Sequence, residues 1–387
     1  MNRILKKLYN LGLDRGLAYV ALGNITYSVI STILWIYLAW QLTAADYGEI
    51  NYLIAVASIL TTVSLLGFET TLVSYLAKGY LKMETESSIL IAISVIFVSI
   101  VLFLFTGSLS VIALIISMVF FSWVVADALG KQQFKKYMLL MSVQRILSLA
   151  IIPILYPVLG VDGIIYGFTI SYLVFCSNYF RTVKNLDFSI SSIIQIKKFF
   201  FHSYMISIAK TLPLFADKII ILPLFDVLTV GYYQFGAQIS SISTIIPIVL
   251  YSYLLPKEAE GKNRNLQNTK KLGVASSVGI TSILFFSIPY IIPLFFPRFE
   301  PAIISAQIII LSGVPFSLSA IYNSSFMANG RSLPVVIGTV IFLSSQFLLI
   351  IILGNFYSLT GLSSATVIAA TLQCIFLYGT NKVGIIK

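Results

Sequence analysis

Long apolar runs separated by short polar stretches set the pattern of this sequence. Windows of about 20 residues, the length of a helix that crosses a bilayer, fit about 12 of these runs. The predicted spans are 17–40, 51–75, 87–106, 109–128, 138–158, 163–181, 201–224, 229–254, 272–293, 302–325, 333–353 and 361–380. The pattern therefore predicts an all-α polytopic membrane protein with about 12 transmembrane helices.

The composition excludes a soluble globular protein. The 387 residues are 58% hydrophobic and only 10% charged, with a mean hydropathy of +0.96. Soluble domains carry about 25% charged residues, and a single soluble core stops growing at roughly 250–300 residues. So much apolar surface needs a bilayer around it.

The basic residues predict how the chain is oriented in the inner, or plasma, membrane. Segments on one side hold nearly all of the 25 Lys and Arg residues, namely Arg3, Lys6, Lys7, Arg15, Lys78, Lys82, Lys131, Lys135, Lys136, Arg181, Lys184, Lys197, Lys198, Lys257, Lys262, Arg264, Lys270, Lys271, Arg331, Lys382 and Lys387. The opposite segments hold Arg298 alone. Since cytoplasmic loops are enriched in Lys and Arg, both termini are predicted to be cytoplasmic. The same clustering accounts for the net charge of +11 without a nucleic-acid partner.

Residue types suited to metal binding or catalysis are scarce. Cys176 and Cys374 lie in apolar runs without a metal-binding spacing, and His202 is the single histidine. Gly130-Lys131 lacks the other residues of a phosphate-binding loop. The connecting segments are too short for a catalytic domain. The sequence therefore predicts no metal site, no cofactor and no enzymatic activity.

The two halves of the chain resemble each other weakly. "DYGEINYLIAVAS" (46–58) is similar to "TVGYYQFGAQISS" (229–241), and Cys176 and Cys374 lie at the same offset from Gly163 and Gly361. These matches indicate an internal duplication of about 190 residues, with the halves related by an axis along the membrane normal. We predict an amphipathic segment at 1–16, six-helix bundles at 17–181 and 201–387, and a cytoplasmic linker at 182–200. Two bundles around an axis leave a central cleft, where transporters of this layout bind their substrates.

Ionisable residues within the predicted spans are candidates for the functional site. Three lie within a turn or two of the cytoplasmic side and can extend to water: Asp127, Arg145 and His202. Four lie deeper: Glu69, Lys210, Asp217 and Lys218. A charge at mid-membrane costs roughly 2.5–3.5 kcal/mol, so these four must face protein or water.

Depth along the helices suggests a pairing. Glu69 and Lys210 lie at similar heights in the second and seventh spans, so we expect them to face each other across the inner cleft. The alternative is that Ser and Thr partners bury each within its own bundle. The surplus of basic groups favours an anionic ligand group such as a phosphate, with Lys210, Lys218 and Arg145 as candidate binding residues. Glu69 or Asp217 is the candidate site for a coupling proton or cation.

Aromatic residues make up 14% of the chain. In the first and eighth spans they include Tyr27, Trp35, Tyr37, Tyr232, Tyr233, Tyr251 and Tyr253. Aromatic faces stack on sugars, but Tyr and Trp also form belts at membrane interfaces. Both readings stay open.

Two stretches resemble a known family of transporters. "QLTAADYGEINYLIAVASILTTVSLLGFETTLVSYLAKG" (41–79) and "FADKIIILPLFDVLTVGYYQFGAQISSI" (215–242) resemble the Wzx-type polysaccharide or O-antigen flippases. These belong to the multidrug/oligosaccharidyl-lipid/polysaccharide exporter superfamily. The resemblance extends over the whole chain in span number and in the six-plus-six layout.

The resemblance implies a function. Members flip polyprenyl-pyrophosphate-linked oligosaccharide repeat units from the cytoplasmic to the outer leaflet by alternating access, alongside glycosyltransferases and a polymerase. Glu69, Lys210, Asp217 and Lys218 would then lie on helices that line the cleft, with the Asp-Lys pair facing a wet cavity. The alternatives are a multidrug exporter, a lipid II flippase (which usually has two further spans), and a membrane glycosyltransferase or polymerase.

Overall fold

The computed structural model describes residues 15–177, 179, 196–259 and 266–383. Helices make up nearly all of this part of the chain, and no strand occurs in it. The prediction of an all-α polytopic membrane protein is confirmed. The predicted amphipathic segment 1–16 and linker 182–200 lie almost wholly outside the described residues.

Thirteen α-helices and one 3₁₀ helix follow one another along the described residues. In chain order the α-helices are α1 Arg15–Gln41, α2 Ala44–Leu65, α3 Phe68–Leu76, α4 Lys82–Thr106, α5 Leu109–Gly130, α6 Phe134–Leu173, α7 Lys197–Leu224, α8 Val227–Ser243, α9 Ile245–Ala259, α10 Leu266–Phe295, α11 Ile303–Ile310, α12 Gly313–Ala328 and α13 Leu333–Val383. The 3₁₀ helix, Pro297–Ala302, comes directly before α11.

These helices account for the twelve predicted spans. Eight stretches of the described residues are long and apolar enough to cross a membrane, or nine if the bent pair α8 and α9 is one span. The long helices α6 and α13 each contain one residue with non-helical backbone, Gly160 and Ser358, and each covers two predicted spans. The remaining span is α7, which carries the charges of Lys210, Asp217 and Lys218.

The chain forms two compact units. Unit 1 contains residues 1–38 and 53–215, and unit 2 contains residues 39–52 and 216–387. Each unit therefore takes a short segment from the other half of the sequence. The predicted bundle boundaries, which follow the sequence halves, stay a prediction.

The breaks within α6 and α13 repeat the same backbone geometry. Gly160 has φ 59° and ψ −139°, and Ser358 has φ 48° and ψ −128°. Three residues later, a Cβ on Gly163 would lie 2.4 Å from the carbonyl oxygen of Leu155, and one on Gly361 would lie 1.9 Å from that of Leu353. The two turns therefore support the internal duplication that the sequence suggests.

The two similar motifs of the sequence halves meet inside unit 2. Gly48 in α2 and Gly231 in α8 lie against each other, since a Cβ on Gly231 would be 1.8 Å from the carbonyl oxygen of Ala44 and 3.2 Å from the nitrogen of Gly48. A Cβ on Gly48 would be 2.1 Å from the carbonyl oxygen of Val227. Glycine is needed at this helix crossing because it lets the backbones approach closely.

Buried hydrogen bonds tie the helices of unit 1 together. The Trp123 indole donates to the Ser87 hydroxyl at 3.0 Å. In a second cluster, Gln144 donates to Ser148 and Ser171, each at 3.0 Å. Polar side chains in an apolar environment are stable only with such partners, so these bonds help to fix how the helices pack.

Candidate functional site: a polar pocket in unit 1

A pocket of about 360 Å³ lies within unit 1. Residues of α1, α2, α3, α5, α6 and α7 line it: Tyr27, Trp35, Ile54, Ser58, Thr61, Thr62, Glu69, Leu114, Met118, Ser122, Arg145, Phe168, Tyr172, Thr211 and Phe215. A neighbouring pocket of about 360 Å³ shares Tyr27, Glu69, Met118, Ser122 and Tyr172 with it. We call these two connected spaces the polar pocket.

A break in the second predicted span positions Glu69. Leu66 and Gly67 have φ 52° and 82°, so α2 ends and α3 begins as a separate helix just before the acid. The break allows a close approach to α7, since a Cβ on Gly67 would lie 2.5 Å from the backbone nitrogen of Tyr204. Glycine accepts both the left-handed backbone and the contact. Glu69 thereby sits in the first turn of α3, where the helix dipole favours an acidic side chain.

Glu69 is an exposed acid with two polar neighbours. Its side chain is solvent-accessible, and the Ser122 hydroxyl donates a hydrogen bond to it. Lys210, also exposed, acts on the Glu69 carboxylate electrostatically. Among the described residues, no direct salt bridge joins the two. The predicted neighbours are thus within electrostatic reach of each other inside unit 1, and their function as a pair stays a prediction.

Within the described part of the chain, Arg145 is held by aromatic side chains and forms no ion pair with an acid. Its guanidinium donates a hydrogen bond to the Tyr27 hydroxyl and lies 4.2 Å from the centre of the Tyr27 ring. The Phe168 ring centre is 5.8 Å away. The Arg145 Nε group is buried and makes no hydrogen bond within the described structure. Cation–π contact stabilises the charge without neutralising it, so Arg145 keeps a donor for an anionic ligand.

Hydroxyl groups form another part of the wall. Thr62 of α2 and Thr211 of α7 share a hydrogen bond of 2.9 Å. Ser58 and Thr61 lie on the α2 side, and the Thr61 hydroxyl has no hydrogen-bond partner in the described structure. The polar pocket therefore combines one cation, one acid, several hydroxyls and aromatic faces. Such a set can hold a phosphate together with sugar hydroxyls.

Asp217 and Lys218 lie elsewhere, in a buried network of unit 2. Asp217 is 7% exposed and Lys218 is 6% exposed. The Lys218 ammonium donates to Asp217 Oδ1 at 2.9 Å, and the Tyr233 hydroxyl donates to Asp217 Oδ2 at 3.1 Å. The network continues from Tyr233 to Thr366 at 3.0 Å, and Gln346 donates to Thr366 at 3.3 Å. The two residues therefore pair with each other, whereas we expected a wet cavity around them.

The residues expected to reach water near the cytoplasmic side behave differently from one another. His202 is exposed, but Asp127 is buried and lies 2.8 Å from Lys131. Lys131 also contacts Glu84 at 2.7 Å. Burial alone would lower the pKa of Lys131, but the hydrogen bonds and charges of Asp127 and Glu84 raise it. This cluster joins α4 to the end of α5 and is a structural ion network.

The described residues contain no group of three or more His, Cys, Asp or Glu side chains that could hold a metal ion. Cys176 and Cys374 are free and buried.

Some polar partners were not foreseen from the sequence: Ser122 beside Glu69, and Thr366 and Gln346 beside Tyr233. They lie far along the chain from Glu69 and Tyr233, and no spacing pattern links them to these residues.

Solved structures with the same fold are of transporters. The lipid II flippase MurJ in an inward closed conformation is 14% identical, covers 94% of this chain and 87% of its own, and has a TM-score of 0.76. An inward-facing multidrug resistance MATE family transporter of the MOP superfamily is 15% identical, covers 92% and 94%, and has a TM-score of 0.71. A MATE protein in complex with MaL6 is 16% identical, covers 96% of each chain, and has a TM-score of 0.63.

By sequence, no protein-family model matches the chain, and no curated protein matches it. The likeness to the solved structures therefore establishes the fold.

Proposed function

We propose that this protein is a transporter that flips a polyprenyl-pyrophosphate-linked oligosaccharide repeat unit from the cytoplasmic to the outer leaflet by alternating access, for cell-surface polysaccharide synthesis. The observation that carries the proposal is the polar pocket, where Arg145 has an unneutralised charge next to hydroxyl and aromatic groups. The fold shared with a lipid II flippase supports it, because that protein also acts on a lipid-linked substrate.

The charges of unit 1 suggest distinct roles. Arg145 and Lys210 bind the anionic pyrophosphate, since both are cations without a direct carboxylate partner among the described residues. Tyr27 orients Arg145 through its hydroxyl and its ring. Lys218 contributes least to the ligand because Asp217 neutralises it at 2.9 Å. Arg145 is suited to this task because its planar group forms paired hydrogen bonds with phosphate oxygens.

Glu69 is the proposed coupling group. When Glu69 is ionised, its charge offsets that of Lys210 and weakens binding of an anion nearby. When a proton or cation binds Glu69, the Lys210 charge is released and the pocket becomes more attractive to the pyrophosphate. Binding of the ion and binding of the anionic substrate therefore favour each other in this scheme.

The transporter works in the inner membrane with both termini in the cytoplasm, next to glycosyltransferases that build the repeat unit and a polymerase that consumes it. A polymerase or glycosyltransferase role for the chain itself is disfavoured. The described connections are short: two residues link α4 to α5, two link α1 to α2, and two link α7 to α8. They leave no room for a catalytic domain.

The test uses purified protein in liposomes loaded with a labelled polyprenyl-pyrophosphate oligosaccharide. We expect the label to change leaflet without any new glycosidic bond. Charge reversal by Glu69→Lys or by Lys210→Glu should abolish transfer, and the double variant should restore part of it. Lys82→Glu, an exposed reversal in α4, is the matched control and should keep full transfer. If the single variants transfer the lipid at the wild-type rate, Glu69 and Lys210 do not have the roles assigned to them here.

A multidrug exporter is the second candidate. It is favoured by the exposed acid Glu69 beside the aromatic groups Trp35 and Tyr27, which together suit an organic cation. The structural likeness to MATE transporters points the same way. Uptake of a fluorescent organic cation into the same liposomes would separate the two, since the flippase should leave the cation outside.

A further inference from the structure

A second pocket lies within unit 2 and has a volume of about 570 Å³. We propose that it binds one phospholipid with an anionic headgroup from the surrounding bilayer. The site is separate from the polar pocket, and the inference does not depend on the proposed substrate.

The pocket is polar at one end and apolar at the other. Lys271 lies near the start of α10, Ser325 near the end of α12, and Asn381 near the end of α13, so the polar groups gather where these helices end. Deeper along the same helices the lining changes to Val274 and Leu318. At 1.5 Å per residue, Leu318 lies about 10 Å from Ser325 along the axis. A phospholipid changes from polar to apolar in the same way, from its headgroup to the first part of its acyl chain.

The charge of the lining favours an anion. Lys270 and Lys271 both line the pocket, and no acidic residue occurs in the described lining. Glu258, which is not part of the lining, contacts Lys270 at 2.5 Å and receives a hydrogen bond from Ser324 at 2.8 Å. Lys271 is exposed and forms no ion pair with the described residues. One positive charge is thus left uncompensated, which suits an anionic phosphate better than a zwitterionic headgroup.

The position of the pocket favours a lipid over a soluble phosphate compound. α10 exposes large apolar side chains along its length, including Leu272 at 70% and Phe286 at 70%, which is expected for a surface that contacts hydrocarbon. Ala275, which lines the pocket, is exposed on the same helix. A molecule in the pocket therefore lies beside the acyl chains of the bilayer.

The experiment measures retained lipid by native mass spectrometry after purification from liposomes that contain equal amounts of phosphatidylglycerol and phosphatidylcholine. Wild-type protein should retain one phosphatidylglycerol in preference to phosphatidylcholine. Lys271→Glu should weaken this retention roughly 25-fold, since each charge near an anionic headgroup is worth about fivefold. Ala275→Trp fills the apolar part and should weaken it similarly without changing the charge. The matched controls are Lys82→Glu and Leu272→Trp, which lie outside this pocket and should behave as wild type.

Three results would overturn the proposal. Equal retention of the two lipids by wild-type protein would remove the preference for an anion. Wild-type retention by both Lys271→Glu and Ala275→Trp would place the bound lipid elsewhere. Loss with Lys271→Glu but not with Ala275→Trp would indicate a phosphate site without an acyl chain, and displacement by inorganic phosphate would support that reading. A thermal melt of each variant, compared with its control, identifies any variant that fails to fold.

Discussion

The crossing of Gly48 and Gly231 leads to a prediction that can be worked out from distances. In Gly231→Ala the new methyl group would lie 1.8 Å from the carbonyl oxygen of Ala44, where real contacts are essentially never under 3.0 Å. The backbones must therefore separate by at least about 1.2 Å, and tightly packed interiors resist such a shift. Overpacking of this kind typically costs about 1–3 kcal/mol.

Gly279→Ala in α10 is the matched control, since a Cβ there would meet nothing within 4 Å. Alanine is a better helix former than glycine by about 1 kcal/mol, so the control should stabilise the protein slightly. The stability of the two variants should thus differ by about 2–4 kcal/mol. For a unit of this size that corresponds to a difference in melting temperature of roughly 5–15 °C.

The assay is thermal unfolding of the purified protein in detergent, followed by intrinsic tryptophan fluorescence. Gly231→Ala should melt below wild type, and Gly279→Ala at or above it. Gly48→Ala should repeat the loss because its methyl group would lie 2.1 Å from the carbonyl oxygen of Val227. If Gly231→Ala and Gly279→Ala have the same melting temperature, the close helix crossing is not needed for stability and the reasoning fails.

Three further sets of substitutions test other parts of the structure. Lys218→Met should lower the free energy of unfolding by about 3–5 kcal/mol because it leaves the buried Asp217 carboxylate without its cationic partner. Adding Asp217→Asn should recover most of this loss in a thermal melt. No recovery would mean that the two residues are not coupled. Arg145→Ala should lower the rate of flipping in liposomes roughly 10–100-fold, which corresponds to the energetic contribution of one hydrogen bond to a charged group. Arg145→Lys should have an intermediate rate. Unchanged rates for both variants would show that Arg145 is not part of the binding site. Ser358→Gly should stabilise the protein by about 1 kcal/mol because serine rarely adopts this backbone, whereas Gly160→Ala should destabilise it; a melting temperature for Ser358→Gly at or below wild type would contradict strain at the turn.

The helices could be predicted from the sequence because they depend on local pattern, and the same pattern suggests the duplication. An apolar run of sufficient length must form a helix in a membrane. Gly163 and Gly361 marked the start of equivalent helices, and the structure places each against a carbonyl oxygen eight residues earlier. The break at Leu66 and Gly67 was missed because the apolar run continues through it without interruption.

The partners of the charged residues could not be predicted because they depend on the three-dimensional packing. Helix geometry separates the directions of Asp217 and Lys218 by about 100°, yet the long lysine side chain turns back to its neighbour at 2.9 Å. Tyr233 stood out in the sequence only as one of many aromatic residues, and nothing marked it as the donor to Asp217. Glu69 lies on the short helix α3 and Lys210 on the long helix α7, and the two are within electrostatic reach of each other; their pairing across a cleft stays a prediction.

The division of the chain into units has a consequence for any attempt to produce its two halves separately. Residues 39–52 come from the first half of the sequence but belong to unit 2. Residues 201–215 come from the second half but belong to unit 1. The first half of the chain produced alone would therefore lack the part of α7 up to Phe215 that completes unit 1, and the second half would lack residues 39–52 of unit 2.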